Sequence, residues 1–213
     1  MTTFKKLIIA CDGEAASGKS TAAKLISKKY KLLLINSGLL YRFCSKLIIK
    51  NKPKTIIPFL KKRFKNISYK KIIKQNLHTE EISNHVAIIA KNKKVREIVN
   101  QLQMKIIKSN NKICVEGRDI ASKILVKNPK YDIAFYFKCS LNVAAYRRWI
   151  DLKKSVPLKD VKKSLRLRTY FDKNRKNSPL IKVKDAHLIR SDKLNKKEVL
   201  AKMSKAIDKI IKN

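Results

Sequence analysis

Gly13-Glu14-Ala15-Ala16-Ser17-Gly18-Lys19-Ser20 fits the pattern G-x-x-x-x-G-K-[ST] at every fixed position. The run before it, Leu7-Ile8-Ile9-Ala10-Cys11, is apolar and strand-like, and the run after it, Thr21-Ala22-Ala23-Lys24-Leu25-Ile26, reads as a helix. Strand, glycine loop and helix N-terminus in that order are the context of a phosphate-binding loop. Gly13 and Gly18 let the backbone turn and bring its N–H groups around a phosphate. The helix adds its positive end. In such a loop Lys19 reaches the β- and γ-phosphates and the Ser20 hydroxyl ligates Mg²⁺. A glycine turn that merely happens to precede a helix does not require every fixed position and the flanking strand at once. Residues Gly13 to Thr21 are therefore the expected ATP site, with Mg²⁺ accompanying the nucleotide.

The rest of the composition bounds the molecule. A chain of 213 residues, 44% hydrophobic, suits one α/β domain with an ample core. No apolar run is long enough to span a bilayer, so no membrane is expected. Met1-Thr2-Thr3-Phe4-Lys5-Lys6 leads straight into the first strand, which reads as no signal peptide and a cytoplasmic protein. Cys11, Cys44, Cys114 and Cys139 form no C-x-x-C, and three lie in or beside apolar runs. That pattern suits reduced, buried thiols. Net charge is +38, from 53 Lys+Arg against 15 Asp+Glu. A nucleic-acid surface would produce such a balance. So would the lysine, isoleucine and asparagine bias of an AT-rich genome. Lysine is spread along the whole chain and far outnumbers arginine, which favours the bias; nucleic acid is not expected as a specific partner.

Short apolar strands alternate with amphipathic helices, the pattern of a parallel sheet with helices on both faces. Strands are predicted at Leu7–Cys11, Leu32–Ile35, Ile113–Val115, Ile133–Phe137 and Ala186–Ile189. Asn36-Ser37-Gly38 and Lys127-Asn128-Pro129 read as turns. Asn195-Lys196-Lys197-Glu198 is close to a capping box opening the last helix.

A phosphate loop alone serves ATPases, GTPases and kinases, so other segments must choose. Ser37-Gly38-Leu39-Leu40-Tyr41-Arg42 follows the second strand, and a Ser-Gly turn with an arginine a few residues on can hold an acceptor phosphate. Gly117-Arg118-Asp119 follows the third strand, at a carboxyl edge where α/β sheets bind ligands. Arg168, Asp172 and Arg175 share one helix face by their spacing. Such a stripe could be a solvated salt-bridge row, but acidic residues are scarce here and the stripe counts for more.

In these segments the chain resembles the bacterial cytidylate kinases, within the P-loop nucleoside monophosphate kinases. The similarity is carried by Ala10 to Gly13 and Gly18 to Thr21, Ser37 to Arg42, Val86 to Arg96, Val115 to Ile120, and Arg168 to Leu180, in the family's order. It is weakest from Phe43 to about Ser83. The resemblance implies an α/β P-loop kinase with a five-stranded parallel sheet, an acceptor-binding insertion at about 43–100 and a mobile lid at about 151–167. It implies phosphoryl transfer from ATP to CMP or dCMP, in pyrimidine nucleotide metabolism, by a monomer. Lys19 and Ser20 resemble the family's ATP-phosphate lysine and magnesium-side hydroxyl. Ser37 and Arg42 fall where it holds the acceptor nucleotide and its phosphate, and Tyr41 lies in the same segment. Arg96 and Asp119 fall where it contacts cytosine. Arg118 and Arg168 match arginines near the acceptor phosphate and the transfer site, Asp172 the carboxylate for the ribose hydroxyls, and Arg175 a further phosphate-site arginine.

These residue types suit the chemistry. Phosphoryl transfer needs alignment and cations where charge spreads, and a guanidinium grips two phosphate oxygens at once. A carboxylate can accept from the exocyclic amine of cytosine while an arginine donates to a ring acceptor. Four departures stand out. Glu14 replaces the usual proline and puts a negative charge near the phosphates. Ala16 stands where glycine or serine is common, and Ala121-Ser122 replaces Gly-Thr. Ala87 stands where the family has a serine that helps read the base. The magnesium-side carboxylate is either Glu116 or Asp12. His78, His85 and His187 have no ligand spacing, and Trp149 reads as helix packing. A related kinase with another acceptor, or a basic nucleic-acid-binding protein on the same scaffold, are the competing readings.

Overall fold

The seven residues Leu7–Gly13 form β1, and every one is buried. Leu7 to Cys11 can all be apolar because β1 is the middle of a five-stranded sheet with order β2-β3-β1-β4-β5, and Asp12 is the one charged residue of the strand. The remaining strands are β2 (Leu33–Asn36), β3 (Lys112–Glu116), β4 (Ile133–Lys138) and β5 (His187–Arg190). β1 runs parallel to β3 with Cys11 opposite Glu116, and parallel to β4 with Gly13 opposite Phe137. β4 and β5 are also parallel. The carboxyl ends of β1, β3 and β4 therefore finish side by side. The computed structural model describes Lys6 to Lys212; the Met1–Lys5 segment, read above as a lead into the first strand, lies outside the described residues.

Helix α1 (Lys19–Lys29) leaves the glycine loop and packs Ala22, Ala23 and Ile26 onto the sheet core with Leu7, Ile9, Phe135 and Phe137. After β2 the chain builds a second compact unit, Asn36–Asn110. It is all helical: α2 (Ser37–Asn51), α3 (Ile56–Lys65), α4 (Tyr69–Ile73), α5 (Glu80–Ile89) and α6 (Lys93–Lys108). The stretch of about 43–100 lies within this unit. Asn36-Ser37-Gly38 is not a turn. The Asn36 side chain accepts from the Leu39 N–H at 3.2 Å and caps α2, so Ser37 to Arg42 lie on a helix.

The chain then returns to the first unit with α7 (Leu141–Asp151), α8 (Leu158–Asn174) and α9 (Lys196–Lys212). The capping box at Asn195 is present: its side chain accepts from Glu198 N–H at 3.0 Å, and Glu198 reaches back to the Asn195 N–H at 2.7 Å. Of the expected lid, Asp151 ends α7 and residues 158–167 are the first turns of α8. Val161 and Leu165 of α8 are buried against Ala144 and Ala145 of α7, with Trp149 packed beside them. The Trp149 indole N–H donates to the Val156 carbonyl at 3.0 Å. All four cysteines are free and buried. Among the described residues, no helix is long and apolar enough to cross a membrane.

Candidate functional site

The glycine loop is shaped by its neighbours. Gly13 has φ +155°, and a Cβ there would lie 2.7 Å from Cβ of Phe137 on β4. The Glu14 N–H then donates to the Phe137 carbonyl at 3.1 Å, which pins the loop's start to the sheet. Gly18 has φ +80° immediately before α1, a left-handed turn that suits glycine. Ala16 also has positive φ, +56°, so alanine carries a backbone cost there of roughly 1–2 kcal/mol. The loop is braced from behind. Ser17 donates to the Glu14 carbonyl at 2.9 Å, and Ser191 donates to the Ser17 carbonyl at 2.9 Å. Arg147 in turn donates twice to Ser191, at 3.1 and 2.6 Å.

Lys19 opens α1 and points inward, 3.2 Å from Oε2 of Glu116 at the end of β3. Burial lowers the Lys19 pKa, and the Glu116 carboxylate opposes that shift. Ser20 and Thr21 follow on the exposed side of the first turn. Asp12, the residue before Gly13, is buried, and its two oxygens accept from the N–H groups of Ile120 and Ala121 at 2.9 and 2.8 Å. It clamps the start of a π-helical turn, Ile120–Ile124, directly after Gly117-Arg118-Asp119. Burial pushes the Asp12 carboxyl up to about 6, and the two backbone donors pull the other way.

Arg118 and Asp119 meet the arginine–aspartate stripe of α8. Arg118 Nε donates to Asp172 at 2.9 Å, Arg175 contacts Asp119 at 3.3 Å, and Arg175 lies 3.6 Å from Asp172. The four side chains are between 10 and 18% exposed, so Asp172 and Arg175 do not belong to a solvated row. Arg175 stands just past the helix end, where its Nε also donates to the Ser178 carbonyl. Arg168 lies one turn before Asp172, on the exposed side of α8. Glu14, in the loop, pairs with Lys173 at 2.7 Å. A cavity of about 550 Å³ opens at the loop, lined among others by Gly18, Lys19, Thr21, Arg118, Arg147 and Asn195.

The second unit gathers its own polar cluster. Ser37 donates to Oε1 of Gln103 at 2.6 Å, and both are buried. Arg42 donates to the Leu77 carbonyl at 3.0 Å and to the Ser83 hydroxyl at 2.8 Å. The Arg96 guanidinium lies 5.6 Å from the centre of the Tyr41 ring and reaches the Ala90 carbonyl at 3.5 Å. Ala87 is exposed on α5, one turn beyond Ser83.

Several of these contacts escape a reading of the sequence. Arg147 holds Ser191, and Ser191 braces the loop, from far along the chain. Asp12 grips backbone, a bond no side-chain pattern announces. Gln103 alone left a signal: it lies seven residues after Arg96, two turns along the same face of α6. Among the described residues, no group of three or more His, Cys, Asp or Glu side chains could hold a metal ion.

Comparison with known proteins bears on the family and the fold. Residues 9–209 match the family model described as cytidylate kinase. A cytidylate kinase of Clostridium botulinum (strain Okra / Type B1) is 34% identical over 218 residues, covering 94% of this chain and 97% of that protein. Among solved structures, an uncharacterised protein from Eubacterium ventriosum aligns over 96% of this chain and 99% of its own, with TM-score 0.56 and 18% identity. Shikimate kinase from Bacteroides thetaiotaomicron aligns over 95% and 98%, with TM-score 0.51 and 8% identity. Likeness at such identities is a likeness of fold, and the fold is that of an α/β P-loop kinase.

Proposed function

The chain belongs to the cytidylate kinase family, and from that premise we propose that it transfers the γ-phosphoryl group of ATP to CMP or dCMP. An acceptor phosphate oxygen forms the new bond to the γ-phosphorus, the bond to the β-phosphate oxygen breaks, and ADP leaves with CDP or dCDP as the second product. The observation that carries this reading is the union of an unbroken glycine loop with the Arg118–Asp172–Arg175–Asp119 network at one carboxyl edge.

Each side chain has a role that its surroundings support. Residues Gly13 to Thr21 hold the ATP phosphates, and Lys19 neutralises charge on the γ-phosphoryl as it moves. Glu116 keeps Lys19 charged and aimed, being 3.2 Å away with both side chains buried. Arg118, Arg168 and Arg175 serve the transferred and acceptor phosphates. Asp172 takes the ribose hydroxyls, and Asp119 accepts from the cytosine amine. On the second unit Ser37, Tyr41, Arg42 and Arg96 hold the acceptor nucleotide. No general base is needed, because phosphoryl transfer runs on alignment and charge.

The residues fit a magnesium ion carried in with ATP. Mg²⁺ keeps most of its waters and phosphate ligands and asks the protein for one or two oxygens. Ser20 supplies a hydroxyl at the start of α1, and Glu116 is the carboxylate best suited to that side. Asp12 is the poorer candidate, since both its oxygens already accept backbone N–H groups. Bound there, the ion would neutralise phosphate charge. The four buried free thiols suit the reducing cytoplasm.

A coupled ADP-release assay across CMP, dCMP, UMP, AMP and shikimate tests the proposal. CMP and dCMP are expected to be the best acceptors, with UMP poorer because a carboxylate repels its carbonyl where it accepts from the cytosine amine. A higher kcat/KM for UMP, AMP or shikimate than for CMP overturns the assigned acceptor.

A further inference from the structure

The glycine loop of this chain carries its own negative charge. Glu14 directly follows Gly13, its side chain is only 11% exposed, and it lines the same cavity as Lys19 and Arg118. A carboxylate at the mouth of a triphosphate site repels the ligand the site must admit. That carboxylate is answered by a cation. Nζ of Lys173 lies 2.7 Å from Oε1 of Glu14, although the two residues are 159 positions apart in the chain. Lys173 sits on α8 next to Asp172, which pairs with Arg118 and Arg175.

We propose that Lys173 is a positioning residue for the donor nucleotide: it holds and neutralises the Glu14 carboxylate so that the triphosphate enters the loop unopposed. The inference rests on ATP being the phosphoryl donor, as proposed above, but not on which acceptor is used. Stability is a poor explanation for the pair. The Lys173 side chain is 43% exposed, and ion pairs that face solvent contribute little to folding. Its place beside an anion site is where one charge acts on another over a few ångströms. The pair also links the loop to the helix that bears the arginine–aspartate network, so a single contact serves both charge and geometry. Lys173 is not a catalytic residue on this view, since it acts through Glu14.

Titration calorimetry with ATP and with ADP, at low and high salt, tests this on Lys173→Met, Glu14→Gln and the double variant. Methionine keeps the aliphatic stem of lysine and removes only the charge. Lys173→Met is expected to weaken ATP binding by about threefold to tenfold, on the scale of a partly screened charge interaction. ADP, with less charge, should lose less, and the loss should shrink at high salt. Glu14→Gln alone removes the repelling carboxylate and leaves the Lys173 cation beside the site, so it should bind ATP more tightly than the natural protein. Added to Lys173→Met, it should restore the lost affinity. A merely structural contact predicts none of the charge scaling, the salt dependence or the rescue. Unchanged ATP affinity in Lys173→Met, or a double variant no better than that single one, overturns the inference and leaves the kinase reading standing. A natural protein that binds no ATP overturns the donor assignment, and this inference falls with it.

Discussion

Replacing Lys19 tests more than catalysis, because the structure ties it to Glu116. Lys19→Met removes the cation 3.2 Å from a carboxylate that is 2% exposed. Glu116 would then be a buried, unpaired charge. Breaking a buried ion pair by removing one partner costs about 4 kcal/mol, the middle of its usual range. At about 2–4 °C per kcal/mol for a protein of this size, Tm should fall by about 8–16 °C. The protein would still be folded at 25 °C if its total stability lies in the ordinary range of about 5–15 kcal/mol. Lost turnover in the single variant would nevertheless mix two causes.

The double variant Lys19→Met/Glu116→Gln separates them. Both side chains are then neutral and of nearly natural size, so most of the Tm should return. Turnover should not return, and should stay down by roughly 10² or more, the scale of losing one preorganised electrostatic donor. Thermal melts followed by circular dichroism read the first quantity, and ADP release at 25 °C reads the second. A single variant that melts with the natural protein refutes the view of Lys19 and Glu116 as a coupled buried pair. A double variant keeping more than about half of natural turnover refutes Lys19 as the charge on the γ-phosphoryl.

Two other outcomes can be checked more quickly. Because burial pushes the Asp12 carboxyl up to about 6, the nucleotide-free and metal-free fold favours its acid form. Stability relative to Asp12→Asn should therefore fall as pH rises from about 4 to about 6 and stay level outside that window, and urea midpoints that move the other way refute the assignment. Ala87→Ser should tighten CMP binding by about twofold to twelvefold through one regained hydrogen bond of roughly 0.5–1.5 kcal/mol, with a sharper preference over UMP; an unchanged CMP/UMP ratio in calorimetric titrations means that position 87 does not read the base.

What could be read from the sequence and what could not divide along the range of the interactions. The glycine loop was legible because its strand, turn and helix are contiguous, and each position's demand is local. The five strands were found within a residue or two of their observed ends, since β-runs in a buried parallel sheet are marked by composition alone. Asn36-Ser37-Gly38 misled because asparagine and glycine signal a turn as strongly as a cap, and only the helix that follows decides between them. Helical spacing was only a partial guide to Arg168, Asp172 and Arg175: Asp172 lies on α8 within the network, Arg168 on the exposed side of that helix, and Arg175 just past its end. Their partners Arg118 and Asp119 lie more than fifty positions away, and no local pattern connects them. For Asp12 the residue type was read as a metal ligand or nothing, whereas the fold gives it two backbone donors.

The charge balance carries the deeper lesson. With 53 basic side chains, a basic residue near a phosphate site is uninformative in itself. The 15 acidic residues are the scarce ones, and five of them, Asp12, Glu14, Glu116, Asp119 and Asp172, gather around the glycine loop and its neighbouring strand end. Each is satisfied there by a named donor: two backbone N–H groups, Lys173, Lys19, Arg175 and Arg118 in turn. A genome-wide drift toward lysine scatters cations over every surface. It does not collect carboxylates at one end of a sheet and pair each of them. Anions placed among cations at a phosphate site do specific work: they aim the lysine and arginines, and they stop those cations from repelling one another before a nucleotide arrives. In a strongly basic kinase, the carboxylates therefore mark the working face more sharply than the lysines that outnumber them.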